Sequence, residues 1–107
     1  MNSLFDDLGP EQGPLERAFW KFHSENPRVY SLICKHASAA LSRGFARFSM
    51  KMIFELVRYH EWIVTNDRDF KLNNNYHAFY ARLWLREHPD HPDFFELRRQ
   101  KNDNTDL

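Results

Sequence analysis

Side chains that bind phosphates and nucleobases are concentrated in the middle of this chain. Arginine and lysine neutralise phosphate charge, and asparagine can form two hydrogen bonds with an adenine edge. An exposed aromatic ring beside them can stack on an unpaired base. The residues that we predict to bind a nucleic acid or another partner are Arg43, Arg47, Lys51, Arg58, Arg68, Lys71, Asn73, Asn74 and Phe79.

Charge is distributed unevenly along the chain, although the formal net charge is zero. Residues 17–58 hold eight bases and two acids, a net charge of +6, whereas residues 1–16 hold four acids and no base. Such asymmetry is typical of a surface that attracts nucleic acid. It is equally typical of solvated helix faces over which acidic ends fold back, so the charge alone does not decide between the two.

Three consecutive asparagines, Asn73 to Asn75, precede an aromatic helical pattern in the segment FKLNNNYHAFYARLWLREH (residues 70–88). Asparagine is a favoured helix N-cap, but its side chain is unfavourable inside a regular element. The three residues therefore predict a sharp strand-to-helix junction, and capping competes with base recognition as their role. Most aromatic residues of the segment are expected in the core, which leaves Lys71, Asn73, Asn74 and Phe79 as its functional candidates.

The titratable residues form no recognisable catalytic or metal-binding motif. His88 and His91 flank Pro89 beside three acids, but a loop between two prolines is a poor frame for metal ligands. We predict no metal site, no cofactor and no catalytic residue. The minor alternative is a metal-dependent nuclease, built on His60, Glu61, Asp67, Asp69 and Lys71.

The spacing of apolar residues predicts three helices in the first half of the chain. The first begins at Pro14, and the second has Asn26 as its N-cap, Pro27 as its first residue and Gly44 beyond its end. Ser49 is the expected N-cap of the third. The core face of this third helix is expected to carry Met50, Ile53, Phe54 and Val57.

The pattern changes in the second half. Apolar residues alternate over residues 62–64 and again over 70–72, on either side of a TNDRD turn, which predicts a small β-hairpin. A fourth helix is predicted over residues 75–88, where Pro89 stops it, and a short final helix begins at Pro92.

These elements predict a mainly α-helical, compact domain with a small β-hairpin, similar in order to a winged helix-turn-helix. The domain is expected over residues 14–99, between a flexible arm at 1–13 and a polar tail at 100–107. In such a fold residues 49–60 enter the major groove as the recognition helix, and residues 66–69 form the wing tip beside phosphates. Because this order also occurs in proteins that bind no DNA, it does not settle the function.

Composition narrows the class of protein. The single Cys34 excludes an internal disulfide and a cysteine-rich zinc module. No apolar run approaches the length that spans a membrane, and the acidic N-terminus lacks the basic start of a signal peptide. We therefore expect a soluble, cytoplasmic protein without membrane contact.

Three stretches, residues 19–32, 47–59 and 69–98, resemble a family of small, uncharacterised proteins encoded by phages and prophage-like regions. The KLNNNY…YARL pattern is the most specific part of this resemblance. It implies a phage or mobile-element setting inside a bacterial host. It implies no activity, and no catalytic residue follows from it.

The sequence as a whole predicts a non-enzymatic DNA-binding accessory or regulatory protein that contacts double-stranded DNA through its central bases. The alternative is a phage-encoded protein–protein interaction module that inhibits a host factor. An aromatic content of 16% and the zero net charge favour that alternative. A homodimer is compatible with both.

Overall fold

The computed structural model describes residues 13–97, and within them the chain is mainly helical and compact. Four α-helices are present in this range, which we number α1 (Pro14–Glu25), α2 (Pro27–Ser42), α3 (Met50–Tyr59) and α4 (His77–Glu87). A π-helical turn, His60–Val64, continues α3, and a 3₁₀ turn, Asn74–Tyr76, leads into α4. Residues 1–12 and 98–107 lie outside the described residues, and they include all of the predicted arm (1–13) except Gly13 and the whole predicted tail (100–107).

The helix boundaries follow the local chemistry that the sequence predicts. Pro14 and Pro27 occupy first-turn positions, where a missing N–H costs nothing. Ser49 caps α3, because its hydroxyl accepts a hydrogen bond from the Met52 N–H at 3.1 Å. Gly44, at φ +91°, supplies the left-handed residue that ends α2.

Asn26 performs a different task from the one predicted. It stands at the N-cap position of α2, but its side chain makes no capping bond there. The amide nitrogen instead donates to the Phe22 carbonyl at 3.0 Å and so satisfies the end of α1. One residue thereby closes the preceding helix at the point where the next begins.

Aromatic rings dominate the core between the helices. Phe19 on α1 is fully buried and meets Tyr80 of α4 edge to face, with ring centroids 4.8 Å apart. The predicted core face of α3 is confirmed, because all four of its side chains are buried: Met50, Ile53, Phe54 and Val57. Tyr80, Leu83 and Trp84 of α4 and Tyr76 in the preceding turn are also buried. Burial of each large side chain stabilises the fold by about 1.5–3 kcal/mol.

The predicted β-hairpin and its wing are not supported, because residues 13–97 contain no strand. Trp62 lies in the π-helical turn, and residues 65–73 form an irregular loop with Asn66 at φ +63°. The indole N–H of Trp62 donates to the Phe70 carbonyl at 2.9 Å, so a side chain joins the two segments where a strand ladder was expected. Without a wing, the winged helix-turn-helix prediction is not supported either.

The predicted final helix is also absent from the described residues. The chain beyond Pro89 forms turns and then a single parallel bridge between Phe48 and Phe95. Phe94 and Phe95 are buried against Trp84 at ring separations of 5.1 Å, so tertiary packing holds this segment without a helix.

The π-helical turn that follows α3 contains a buried carboxylate paired with an arginine of α2. The carboxylate of Glu61 is only 1% exposed, and Arg28 at the start of α2 donates to it from Nε and Nη2 at 3.1 and 3.0 Å. The Glu61 carbonyl accepts from the Thr65 hydroxyl and from the Asp67 N–H, both at 2.7 Å. This residue therefore ties α2, the π-helical turn and the following loop together.

Replacing Arg28 with alanine should lower the free energy of unfolding by about 1–3 kcal/mol, because it leaves a buried carboxylate without its cation. The effect should fall short of that for a fully buried pair, since the Arg28 side chain is 51% exposed. Urea denaturation measures it. Lys21→Ala is the matched control, because it breaks the exposed pair with Glu25 and should change stability by less than about 0.5 kcal/mol. Equal effects of the two substitutions would contradict the assignment.

Stability should also fall in acid through Glu61. The Arg28 hydrogen bonds hold the pKa of Glu61 below its usual 4.5 in the folded protein. The contribution of the pair is therefore complete above pH 4.5 and is lost as the pH falls through the lower folded value. The measurement is the unfolding free energy of the wild type and of Glu61→Gln between pH 7 and pH 3. The difference between them should shrink in acid, and a constant difference would refute the linkage.

Candidate functional site

An open groove of about 800 Å³ lies between the α2–α3 connection and the first turn of α4. We call it the α2–α3 groove. Phe45 and residues 47–52 line one side, and His77, Ala78, Ala81 and Glu96 line the other. A volume in this range is typical of sites that take a small molecule or a nucleotide-sized group.

The wall of the groove is built by the short connection after α2. Gly44 reverses the chain, and Phe48 is then anchored because its N–H donates to the Phe94 carbonyl at 2.9 Å. Phe45 packs edge to face against Phe48, at a ring separation of 5.3 Å, yet remains 52% exposed. The connection therefore presents an aromatic ring to solvent at the rim of the groove.

Two of the predicted basic residues, Arg47 and Lys51, line this groove. Both are exposed, and neither forms a hydrogen bond or ion pair with any residue of the range 13–97. Arg43, which is exposed and likewise unpaired within that range, lies at the end of α2 immediately before the connection. Glu96 is the one acidic residue among the described residues that line the groove. The local charge is thus positive.

His77, the first residue of α4, contributes a neutral polar ring to the groove. Its Nε2 atom is buried and has no hydrogen-bond partner among residues 13–97, while its ring packs on Phe54 with centroids 4.3 Å apart. Burial lowers the pKa of His77 below 6.5, and the like charges of Arg58 and Lys51 lower it further against the opposing effect of Glu55. The ring is therefore neutral at pH 7, with one N–H and one lone pair.

Arg58, another predicted site residue, serves the interior of the fold. Its side chain is 12% exposed and donates to the Leu72 carbonyl at 2.7 Å, to the Asn74 side chain and to Glu55. It also lies over the Phe54 ring at 6.0 Å. These bonds hold the segment that leads into α4, and they engage both Arg58 and Asn74 in contacts within the protein.

The remaining candidates are dispersed. Asn73 caps the 3₁₀ turn by accepting from the Asn75 N–H at 2.8 Å, as the capping interpretation predicts. Phe79 is half-buried and stacks on Phe19 at 5.0 Å. Arg68 and Lys71 are exposed in the loop before α4 and do not line the α2–α3 groove. Of the four candidates in residues 70–88, namely Lys71, Asn73, Asn74 and Phe79, none lines the α2–α3 groove.

The histidines that suggested a metal are used for packing. The His88 ring stacks on Trp84 with centroids 3.9 Å apart, and its Nδ1 atom lies 2.7 Å from the Trp84 carbonyl oxygen. Within residues 13–97 no group of three or more histidine, cysteine or acidic side chains is placed to hold a metal ion.

Sequence reasoning missed Phe45 and His77. A signal for Phe45 was present, because it stands between Arg43 and Arg47, and an aromatic interleaved with bases is typical of nucleic-acid surfaces. For His77 no local signal existed. Its place in the groove depends on how α4 packs against α3.

A second surface is apolar. Met52, Leu56, Tyr59 and Ile63 are exposed by 36–63% along the outer side of α3 and the π-helical turn. Their spacing of four, three and four residues repeats that of a coiled-coil seam. We call this set the α3 stripe. The described residues leave it open to solvent.

No family model matches the chain, and neither the curated proteins nor the solved structures contain a significant match. Among the helices of residues 13–97, none is both long enough and apolar enough to cross a membrane.

The position of Lys51 beside His77 can be tested by histidine titration. Lys51→Ala should raise the pKa of His77 toward 6.5, because it removes one of the positive charges that disfavour the protonated ring. An NMR pH titration of the ring Cε1 proton measures this. Arg43→Ala is the matched control and should leave the pKa unchanged. If Lys51→Ala also leaves it unchanged, Lys51 and His77 do not share the groove.

Proposed function

We propose that the protein is a non-enzymatic DNA-binding accessory protein that contacts phosphates through Arg43, Arg47 and Lys51. The observation that carries this proposal is that three exposed basic side chains, which have no partner among residues 13–97, lie within one short stretch beside a groove with an exposed aromatic ring. Basic side chains that are not neutralised within the protein can neutralise DNA phosphates. This releases the counterions condensed on the DNA, which drives association.

The electrostatics of the groove support an anionic partner. Lys51 and Arg58 both act on His77, so positive potential extends from the connection along α3 toward α4. Glu96 lines the groove and Glu55 acts on the His77 ring, and neither forms an ion pair with Arg47 or Lys51 within residues 13–97. A phosphate backbone can therefore approach without displacing an internal partner.

The proposed contact differs from that of a recognition helix. The outward face of α3 carries the α3 stripe, whose side chains offer no hydrogen-bond pattern that matches base edges except the Tyr59 hydroxyl. The connection before α3 is the better contact surface, because it brings bases and an aromatic ring together. The phage or mobile-element setting remains part of the proposal and rests on the resemblance of residues 19–98 alone.

Arg47→Ala and Lys51→Ala should each weaken DNA binding about five- to tenfold near 0.1 M salt, because each removes one phosphate contact. Each should also reduce the salt dependence of the binding constant by about one released counterion. Fluorescence anisotropy with labelled DNA across a salt series measures both. Lys35→Ala is the control, since Lys35 is an exposed base on α2 that does not line the groove.

Glu96→Gln provides a test of opposite sign. Removing this carboxylate should tighten binding, because Glu96 is the acid that lines the groove and repels phosphate.

Arg58→Ala should instead lower thermal stability, since Arg58 holds the Leu72 carbonyl and the Asn74 side chain. Undetectable binding of the wild type at low salt would refute the proposal.

The α3 stripe favours a second candidate function, the protein-interaction module. We propose as its partner an amphipathic helix of a host protein with the same apolar spacing, because heptad-spaced side chains on one helix pack into those of another. A second copy of the chain is the competing occupant. Light scattering across a concentration series detects it.

The interaction module is tested by comparing variants in a pull-down from nuclease-treated bacterial lysate. Ile63→Asp should abolish retention of the partner, because it places a charge within an apolar contact. Arg47→Ala should retain that partner fully. Loss with Arg47→Ala and retention with Ile63→Asp would reject the stripe as the docking surface.

A further inference from the structure

We propose that the α2–α3 groove binds an unpaired nucleobase of DNA, stacked on Phe45, and that the protein therefore prefers single-stranded to duplex DNA. This inference rests on the proposed DNA binding and specifies its substrate. It depends on two features that meet at the groove: the exposed aromatic ring of Phe45, and the two exposed basic side chains of Arg47 and Lys51, which have no partner among residues 13–97.

Phe45 has the properties of a stacking platform. Its ring is 52% exposed, although its neighbour Phe48 is anchored by a backbone bond and by the bridge to Phe95. The edge-to-face contact with Phe48 fixes the orientation of the ring without covering it. An exposed ring on a held backbone loses little conformational freedom when a base stacks on it, so stacking retains most of its favourable free energy.

The basic side chains of Arg47 and Lys51 lie where a bound nucleotide chain would carry its phosphates. Arg47 follows Phe45 by two residues, and Lys51 lies within the first turn of α3, so both flank the ring along the same groove. The groove, at about 800 Å³, has room for a nucleotide with its flanking phosphates. The volume and the positive charge of the groove are thus compatible with one nucleobase and the phosphates beside it.

The preference for single strands follows from geometry. In a duplex the faces of each base are covered by neighbouring bases, so an aromatic side chain cannot stack unless a base is extruded at additional cost. An unpaired base exposes its faces, and stacking on an aromatic side chain is tolerant of sequence. The groove is therefore expected to bind single strands without strong sequence preference.

The test compares labelled oligothymidine with a duplex of the same length, using the full chain and fluorescence anisotropy at several salt concentrations. The single strand should bind at least tenfold more tightly. Phe45→Leu should weaken single-strand binding about tenfold or more and leave duplex binding unchanged. Phe45→Trp should restore or exceed wild-type affinity, because indole retains a stacking face. Thermal melting of each variant verifies that it is folded.

Tyr59→Leu is the matched control, because Tyr59 is an equally exposed aromatic residue of α3 that lies outside the groove. It should not change affinity for either DNA. Equal binding of the two DNA forms, or an unaltered affinity of Phe45→Leu, would overturn this inference while DNA binding itself stands. Failure of the wild type to bind either form would instead reject the proposed function.

Discussion

The buried pair of Arg28 and Glu61 is the interaction on which the path of the second half of the chain depends. A carboxylate with 1% exposure requires a cation and hydrogen-bond donors; Arg28 at the start of α2 supplies the cation, and the Nδ1 atom of His60 lies 3.4 Å from the other carboxylate oxygen. Meeting that requirement keeps residues 60–64 helical and sets where the loop turns back. The loop then delivers the Leu72 carbonyl and Asn74 to Arg58, which places the start of α4. His77 reaches the α2–α3 groove by this route.

Basic residues of identical type serve opposite purposes in this protein. Arg28 and Arg58 direct their guanidinium groups to acceptors inside the fold, and each joins segments that are distant in sequence. Arg43, Arg47 and Lys51 lie around a short connection whose backbone bonds are satisfied by Phe94 and the end of α2, so their side chains have no internal task. The net charge of the central segment therefore overstates the basic surface that is available to a partner. Arg43, Arg47 and Lys51 concentrate that surface at the α2–α3 connection.

The outer side of α3 poses a separate physical problem. Four large apolar side chains in a coiled-coil spacing remain open to solvent, and monomeric proteins rarely expose contiguous apolar surface of this kind without a use. Met52 belongs both to this stripe and to the wall of the α2–α3 groove. The α3 stripe and the α2–α3 groove are therefore neighbouring surfaces that meet at Met52 on α3.

Local chemistry in the sequence determined the helices and most of the core. Pro14, Pro27, Ser49 and Gly44 mark helix ends through properties that depend only on neighbouring residues, and the 3.6-residue period identifies the buried faces. The tertiary structure alone decided the region after α3. There the alternation of Trp62 and Val64 resembled a strand, but residues 60–64 are helical and Glu61 is buried against Arg28 of α2, a contact that the local pattern does not reveal. Packing between distant helices also placed His77 and Phe45 along the same groove, since no local rule relates residues so far apart in the chain.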